Sequence, residues 1–183
     1  MQSIPGSNAT EAAHVALHTT TPATKPVPLQ VQPDAIPATL RDIPTWVVWR
    51  YQRRGNGWTK PPFQTSGMLA KSNDAATWTT FDEALAAYQT GRFDGIGWNV
   101  SGDITGIDLD DVIGADGDID PRASAILDRF AGTYCELSPS GSGYRIFAIG
   151  QFPVAGKKIG DWLEVYREGS PRYLTLTGHA IAA

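Results

Sequence analysis

The chain has 183 residues, of which 42% are hydrophobic and 19% charged; this is a globular balance, in a length that suits one domain with a tail and excludes two full catalytic domains. No run approaches the roughly 18 apolar residues of a membrane span, the N-terminus lacks a secretory signal pattern, and the single Cys135 excludes both an internal disulfide framework and a cysteine-clustered zinc site. The formal charge of -4 argues against coating nucleic acid by bulk positive charge and leaves room for a local basic groove, in a protein whose default location is the cytoplasm.

Residues 1–33 carry only Glu11 and Lys25 as charges, show no apolar period and pass through HTTTPATKPVPLQVQP, so they read as a flexible tail that includes His14 and His18. From Ile36 the texture changes. Thr45 to Tyr51 is β-branched and aromatic, Arg53 to Gly57 supplies a turn, and Trp58 to Phe63 returns, which is a hairpin signal. Thr80 followed by Glu83 is a capping-box pattern, and Phe81, Leu85 and Tyr88 continue it at helical spacing. Gly95 to Val100 and Ile104 to Asp110 read as strands joined at Ser101–Asp103, and Pro121 opens a helix through Phe130. Four more strand-like runs follow, Thr133 to Leu137, Tyr144 to Ile149, Trp162 to Tyr166 and Arg172 to Thr177. The expectation is an α+β domain with a mainly antiparallel sheet over residues 34–183.

The most informative segment is Gly106–Asp111. In a strand, Ile107 and Leu109 face the core while Asp108 and Asp110 stand side by side on the other face. Two carboxylates this close repel and stay ionised most easily beside a cation, for which a hard divalent ion is the natural partner; the same pattern also fits an acidic strand end running into a solvated loop. An EF-hand reading of Asp116, Asp118 and Asp120 fails, since Pro121 stands where Gly is needed and Leu127 where Glu is needed, so this run is expected to be a polar turn. In Ser138–Arg145 the glycines allow close approach of a ligand and Ser140, Ser142 and Arg145 can bind phosphate, although such a Ser/Gly segment read alone is usually only a turn. Glu164 faces away from Leu163 and Val165, and Arg172 is either an edge charge or a phosphate contact.

Taken in order, Trp46–Trp49, Thr59–Pro62, Ala76–Ala84, Asp94–Gly97, Gly106–Asp110, Ser138–Gly143, Leu163–Tyr166 and Arg172–Gly178 resemble the archaeo-eukaryotic primase superfamily, specifically the primase-polymerase domain of phage and plasmid replication proteins. The resemblance implies an RNA-recognition-motif-like antiparallel sheet with flanking helices, packed against a smaller N-terminal α/β unit. It also implies that Asp108, Asp110 and Glu164 hold two Mg²⁺ or Mn²⁺ ions, and that Arg145 stands where a nucleotide-binding histidine is common. An arginine keeps a positive phosphate partner there and gives up a proton shuttle. Ser140, Ser142 and Arg145 are then expected to hold the nucleoside triphosphate, with Lys60 and Arg172 as second-rank phosphate or template contacts, and Lys71, Lys157 and Lys158 along a groove for single-stranded DNA.

The function so implied is template-directed nucleotidyl transfer, by a DNA primase and polymerase working in a phage or plasmid host cell. The alternatives are a catalytically weak nucleic-acid-binding module of a larger helicase-primase and a metal-dependent nuclease. The nuclease reading is weakened because no histidine or lysine base lies near the acidic pair in sequence, His179 being the only histidine outside the tail. No GKS or GKT loop occurs, so unwinding is expected to come from a helicase domain or protein elsewhere.

Overall fold

The structure is a computed structural model that describes residues 24–150, 152–153 and 155–181; the histidines of the expected tail, His14 and His18, lie outside them. The strands are β1 (Trp46–Trp49), β2 (Gln52–Arg54), β3 (Gly57–Thr59), β4 (Pro62–Phe63), β5 (Gly95–Asn99), β6 (Ile104–Leu109), β7 (Tyr134–Leu137), β8 (Tyr144–Ile149), β9 (Gly156–Ile159), β10 (Leu163–Tyr166) and β11 (Tyr173–Leu176). The helices are α1 (Ala38–Arg41), α2 (Phe81–Gln89) and α3 (Pro121–Arg129). Among the described residues every strand pairing is antiparallel. The α+β expectation is met.

Local chemistry explains most boundaries. Thr80 and Glu83 close the expected capping box at the start of α2, and Asp120 caps α3 by accepting from the Arg122 amide ahead of Pro121. The acidic run before α3 is a turn, with Asp116 accepting from the Asp118 amide. The expected hairpin after Thr45 is two nested pairings: β2 with β3 at the tip, and β1 with β4 at the base. Strand β9 was not anticipated, because Gly-Lys-Lys-Ile is fully exposed on a sheet edge and has no buried face to impose an apolar alternation.

Two sheets carry the molecule, a four-stranded one in the order β11-β5-β1-β4 and a five-stranded one in the order β7-β8-β6-β10-β9. The turn at 101–103 therefore passes the chain from one sheet to the other. The first sheet is not purely N-terminal, since β11 returns from the far end of the chain to pair with β5. One face of the five-stranded sheet buries Ile107, Leu109, Ile146 and Val165 under Ala123 and Leu127 of α3. On its other face Ile104, Phe147 and Tyr166 join the core of the first sheet, with Trp98, Leu174, Leu176 and Phe81. Gly106 makes that contact possible, because a Cβ there would lie 2.4 Å from Leu174 Cδ1.

Residues 24–32 run extended over the domain, with Leu29 N–H donating to the Pro139 carbonyl at 2.9 Å, Gln32 N–H to the Thr177 carbonyl at 2.7 Å, and Lys25 paired with Asp94 at 2.8 Å. These contacts come largely from backbone groups and are invisible to composition.

The segment 138–143 lies against the end of β6 so closely that a Cβ on Gly143 would sit 2.1 Å from the Leu109 carbonyl oxygen. Backbone bounds this contact on both sides, so Gly143→Ala is expected to cost about 1–3 kcal/mol of unfolding free energy. An unchanged urea midpoint would contradict that packing.

Candidate metal centre

Directly opposed residues in an antiparallel ladder share a face. Asp108 on β6 is opposite Arg145 on β8 and Glu164 on β10, Arg145 is opposite Glu136 on β7, and Glu164 is opposite Lys158 on β9. The register thus sets one row of charged side chains across the five-stranded sheet: Glu136, Arg145, Asp108, Glu164, Lys158. Asp110, two residues beyond Asp108, extends the same face past the strand end. One carboxylate oxygen from each of Asp108, Asp110 and Glu164 lies within 4.8 Å of the others.

The row is internally bonded. Arg145 Nη2 donates to Asp108 Oδ2 at 3.4 Å, and Nε lies 3.2 Å from Oδ1 without hydrogen-bond alignment, in a pair only 4% and 11% exposed. Lys158 Nζ donates to Glu164 Oε1 at 2.7 Å, and the Tyr166 hydroxyl donates to Oε2. Glu136 accepts from the Tyr134 hydroxyl at 2.7 Å and from the amides of Thr177 and Gly178 at 2.9 and 2.8 Å, which ties β7 to the end of β11.

These environments bias the charges differently. Burial pushes the Glu136 carboxyl up against the opposing pull of its donors and Arg145. Burial, then repulsion from Asp108, raises Asp110, with Arg145 and Lys60 acting the other way. Burial also acts to raise Glu164, but hydrogen bonds from Lys158 and Tyr166 outweigh it and hold this carboxyl below its ordinary value. Lys60 is depressed by burial and by Arg145, despite attraction from Asp108, Asp110 and Asp111.

A hard divalent ion fits this donor set. The cluster offers carboxylate oxygens only, and the buried Asp108 Oδ1 has no hydrogen-bond donor of its own. Arg145 likewise keeps a buried Nη1 without a hydrogen-bond partner.

The remaining sequence candidates fall around this row. Ser140 Oγ lies 3.0 Å from Ser138 Oγ and 2.9 Å from Ser142 Oγ, and the Ser142 hydroxyl donates to Asp111 at 2.8 Å; Asp111 itself has φ 50°. The serines thus form a hydroxyl chain ending beside the acidic strand end. Lys60 is held by its carbonyl, which accepts from the partly buried Tyr173 hydroxyl, and its ammonium feels the acidic cluster. Arg172 lies 5.8 Å from the Tyr166 ring and, with Lys157, Lys158, Glu164 and Ser170, lines an opening of about 550 Å³. Lys71 is exposed and pairs with Asp74 at 4.0 Å; no described contact joins it to the carboxylates.

Sequence reasoning missed Glu136 and Tyr166 and placed Lys158 on a template groove rather than on Glu164. A charged residue inside the otherwise apolar Tyr134–Leu137 strand was the available signal for Glu136. The pairing of Lys158 depends on β9, which carried no strand signal.

The molecule is therefore a two-sheet α+β protein with a carboxylate cluster suited to divalent cations. No protein-family model matches the chain. It is similar to the DNA Primase-polymerase of Nitratiruptor phage NrS-1, at 33% identity over 141 residues that take in 73% of this chain and 19% of the phage protein. Over the matched stretch the chain is similar to a primase-polymerase, and it spans about a fifth of the length of this relative.

Arg145→Met would leave Asp108 and Glu136 buried without their cation, so a loss of about 3–5 kcal/mol in urea unfolding is expected, partly recovered by adding Asp108→Asn. Wild-type stability in the single variant would contradict the pairing. For Asp110, the raised native value lies above the ordinary 3.8. Between those values the native state holds a proton that the unfolded chain has lost, so stability falls as pH rises through this window. Asp110→Asn is expected to remove that slope from the unfolding free energy measured against pH; an unaltered slope would contradict the assignment.

Proposed function

We propose that this chain is a template-directed nucleotidyltransferase, a DNA primase and polymerase that joins nucleotides from nucleoside triphosphates during phage or plasmid replication. The observation that carries the reading is the convergence of Asp108, Asp110 and Glu164 within 4.8 Å, on the face of the sheet that also presents Arg145 and Lys158. The similarity to a protein named DNA Primase-polymerase supports the same chemistry. Phosphoryl transfer needs alignment and charge stabilisation more than covalent help.

In this reading Asp108, Asp110 and Glu164 hold Mg²⁺ or Mn²⁺. Bound ions supply activation of the attacking 3′-hydroxyl and stabilisation of the departing pyrophosphate. Arg145 fixes Asp108 through Nη2 and offers its unpartnered Nη1 to a phosphate oxygen, while the Ser140 and Ser142 hydroxyls would turn from each other and from Asp111 to donate to the phosphate. Lys60 and Arg172 flank the carboxylates as further phosphate contacts. Lys158, which donates to Glu164, would be released towards the triphosphate if that carboxylate held a cation.

The finer fold reading is a β6–α3–β7–β8 unit closed by β10, in the order β7-β8-β6-β10; this supports an RNA-recognition-motif-like sheet with β9 added at the edge. Residues 34–183 form the catalytic domain, with 24–32 strapped to it. Among the described residues no helix is long and apolar enough to cross a membrane. In this reading the protein works on replicating DNA in the host cytoplasm, beside a helicase domain or protein.

The test is incubation of the chain with single-stranded template, Mg²⁺ or Mn²⁺ and labelled nucleotides. Products that lengthen with time, and fall to background in the Asp108→Ala/Asp110→Ala variant, are expected. Template shortening, or incorporation that survives both substitutions, would overturn the assignment.

A further inference from the structure

Residues 43–73 contain Arg50, Arg53, Arg54, Lys60 and Lys71 and no carboxylate, in a chain whose formal charge is -4. The middle of this basic segment is the exposed ribbon of β2 and β3, turned at Gly55–Asn56 with Gly55 at φ 60°. It pairs with neither large sheet.

Register gives the ribbon two different faces. Arg53 is directly opposite Trp58, so they share a face, and the alternation of side chains carries Tyr51 and Lys60 onto the same face at the ribbon's base. Aromatic rings continue along it: Trp49 to Tyr51 at 5.2 Å between centroids and Tyr51 to Trp58 at 6.4 Å, both edge to face. Trp49 is buried, Tyr51 and Trp58 are partly exposed, and Arg53 and Arg54 are exposed. The base is anchored by Tyr173, whose hydroxyl donates to the Lys60 carbonyl, and the Lys60 ammonium is within electrostatic reach of Asp108 and Asp110. The Tyr51 amide is fixed by Asp94 at 2.7 Å.

An anchored root, two partly exposed aromatic rings and a run of cations without acids match what an unpaired nucleic-acid strand requires, namely faces for bases to stack on and positive charge for its phosphates. A duplex would hide the base faces from Trp58. A membrane surface would need an exposed apolar patch, which Gln52, Arg53 and Arg54 deny on the outer strand.

We propose that the β2–β3 ribbon is the arm that binds the single-stranded template: one base stacks on Trp58, one phosphate lies on Arg53 on the same face and another on Arg54 where the strand crosses the edge at the ribbon's tip, and the strand passes Tyr51 and Lys60 towards Asp108. The proposal rests on the nucleotidyltransferase reading for its direction, but its binding step needs neither metal nor nucleotide.

The experiment measures binding of a fluorescein-labelled oligothymidylate to the full chain by polarisation, without metal, over a series of salt concentrations. Trp58→Ala is expected to weaken binding about tenfold, and Trp58→Phe to restore most of it, since stacking needs a ring rather than an indole. Arg53→Ala/Arg54→Ala is expected to make the slope of log K against log salt shallower by about 1.4, at roughly 0.7 per phosphate. An oligonucleotide carrying 5-iododeoxyuridine is expected to crosslink at Trp58 or Tyr51. Wild-type affinity and slope in these variants, crosslinks confined to other residues, or no binding by the wild-type chain would overturn the proposal. Binding without metal and incorporation with it are read separately on the wild-type chain and on Trp58→Ala: strand binding with no incorporation would fail the catalytic reading alone, and incorporation with binding unchanged in Trp58→Ala would fail the arm alone.

Discussion

A single row of charged side chains across the five-stranded sheet governs this molecule. Asp108 and Glu164 are like charges directly opposed on neighbouring strands, an arrangement that destabilises a sheet unless cations flank it. Arg145 stands on one side of the pair and Lys158 on the other. Glu136 beyond Arg145 completes the row, so that a buried guanidinium lies between two carboxyl groups. Three carboxyl groups therefore meet two cations, and Asp110 adds a fourth acid at the strand end. When all are ionised the row carries a surplus of two negative charges, which Lys60 nearby only partly offsets. That surplus is the electrostatic reason for reading the cluster as a place for divalent cations.

The rest of the fold keeps this row in place and partly out of water. Gly106, one pleat below Asp108, lets Leu174 of the other sheet close in, and Phe147 and Tyr166 beside it seal the lower half of the face. Above that seal the charged row lies at the edge of the contact between sheets, where Glu136 bonds the amides after β11 and Tyr173 bonds the Lys60 carbonyl. The strap of residues 24–32 adds a backbone bond to Pro139, at the start of the serine loop, and another to Thr177. The site is thus assembled from segments far apart in the chain, held by packing on one side and hydrogen bonds on the other.

Much of this was legible in the sequence because it depends on local pattern. The alternation in Gly106–Asp111 set Asp108 and Asp110 on one face, the capping residues set α2 and α3, and the ordered motifs brought Glu164 to the same centre. Partner choice was not legible, because it depends on register between strands. Nothing in Ser138–Arg145 says that Arg145 stands opposite both Asp108 and Glu136, and nothing in Gly156–Ile159 says that Lys158 will reach Glu164. The strap escaped for a related reason: its Pro-rich, weakly charged sequence buries little side-chain surface and is held mainly by backbone groups. The departure at Arg145 gains a physical meaning from the register, since a permanent cation there balances two buried acids.

The most direct measurement is anomalous diffraction from crystals of the chain grown with Mn²⁺. The account predicts manganese peaks coordinated by carboxylate oxygens of Asp108, Asp110 and Glu164, with Lys158 withdrawn from Glu164. Saturating Mn²⁺ with no peak at these three residues, and Lys158 still bonded to Glu164, would contradict it.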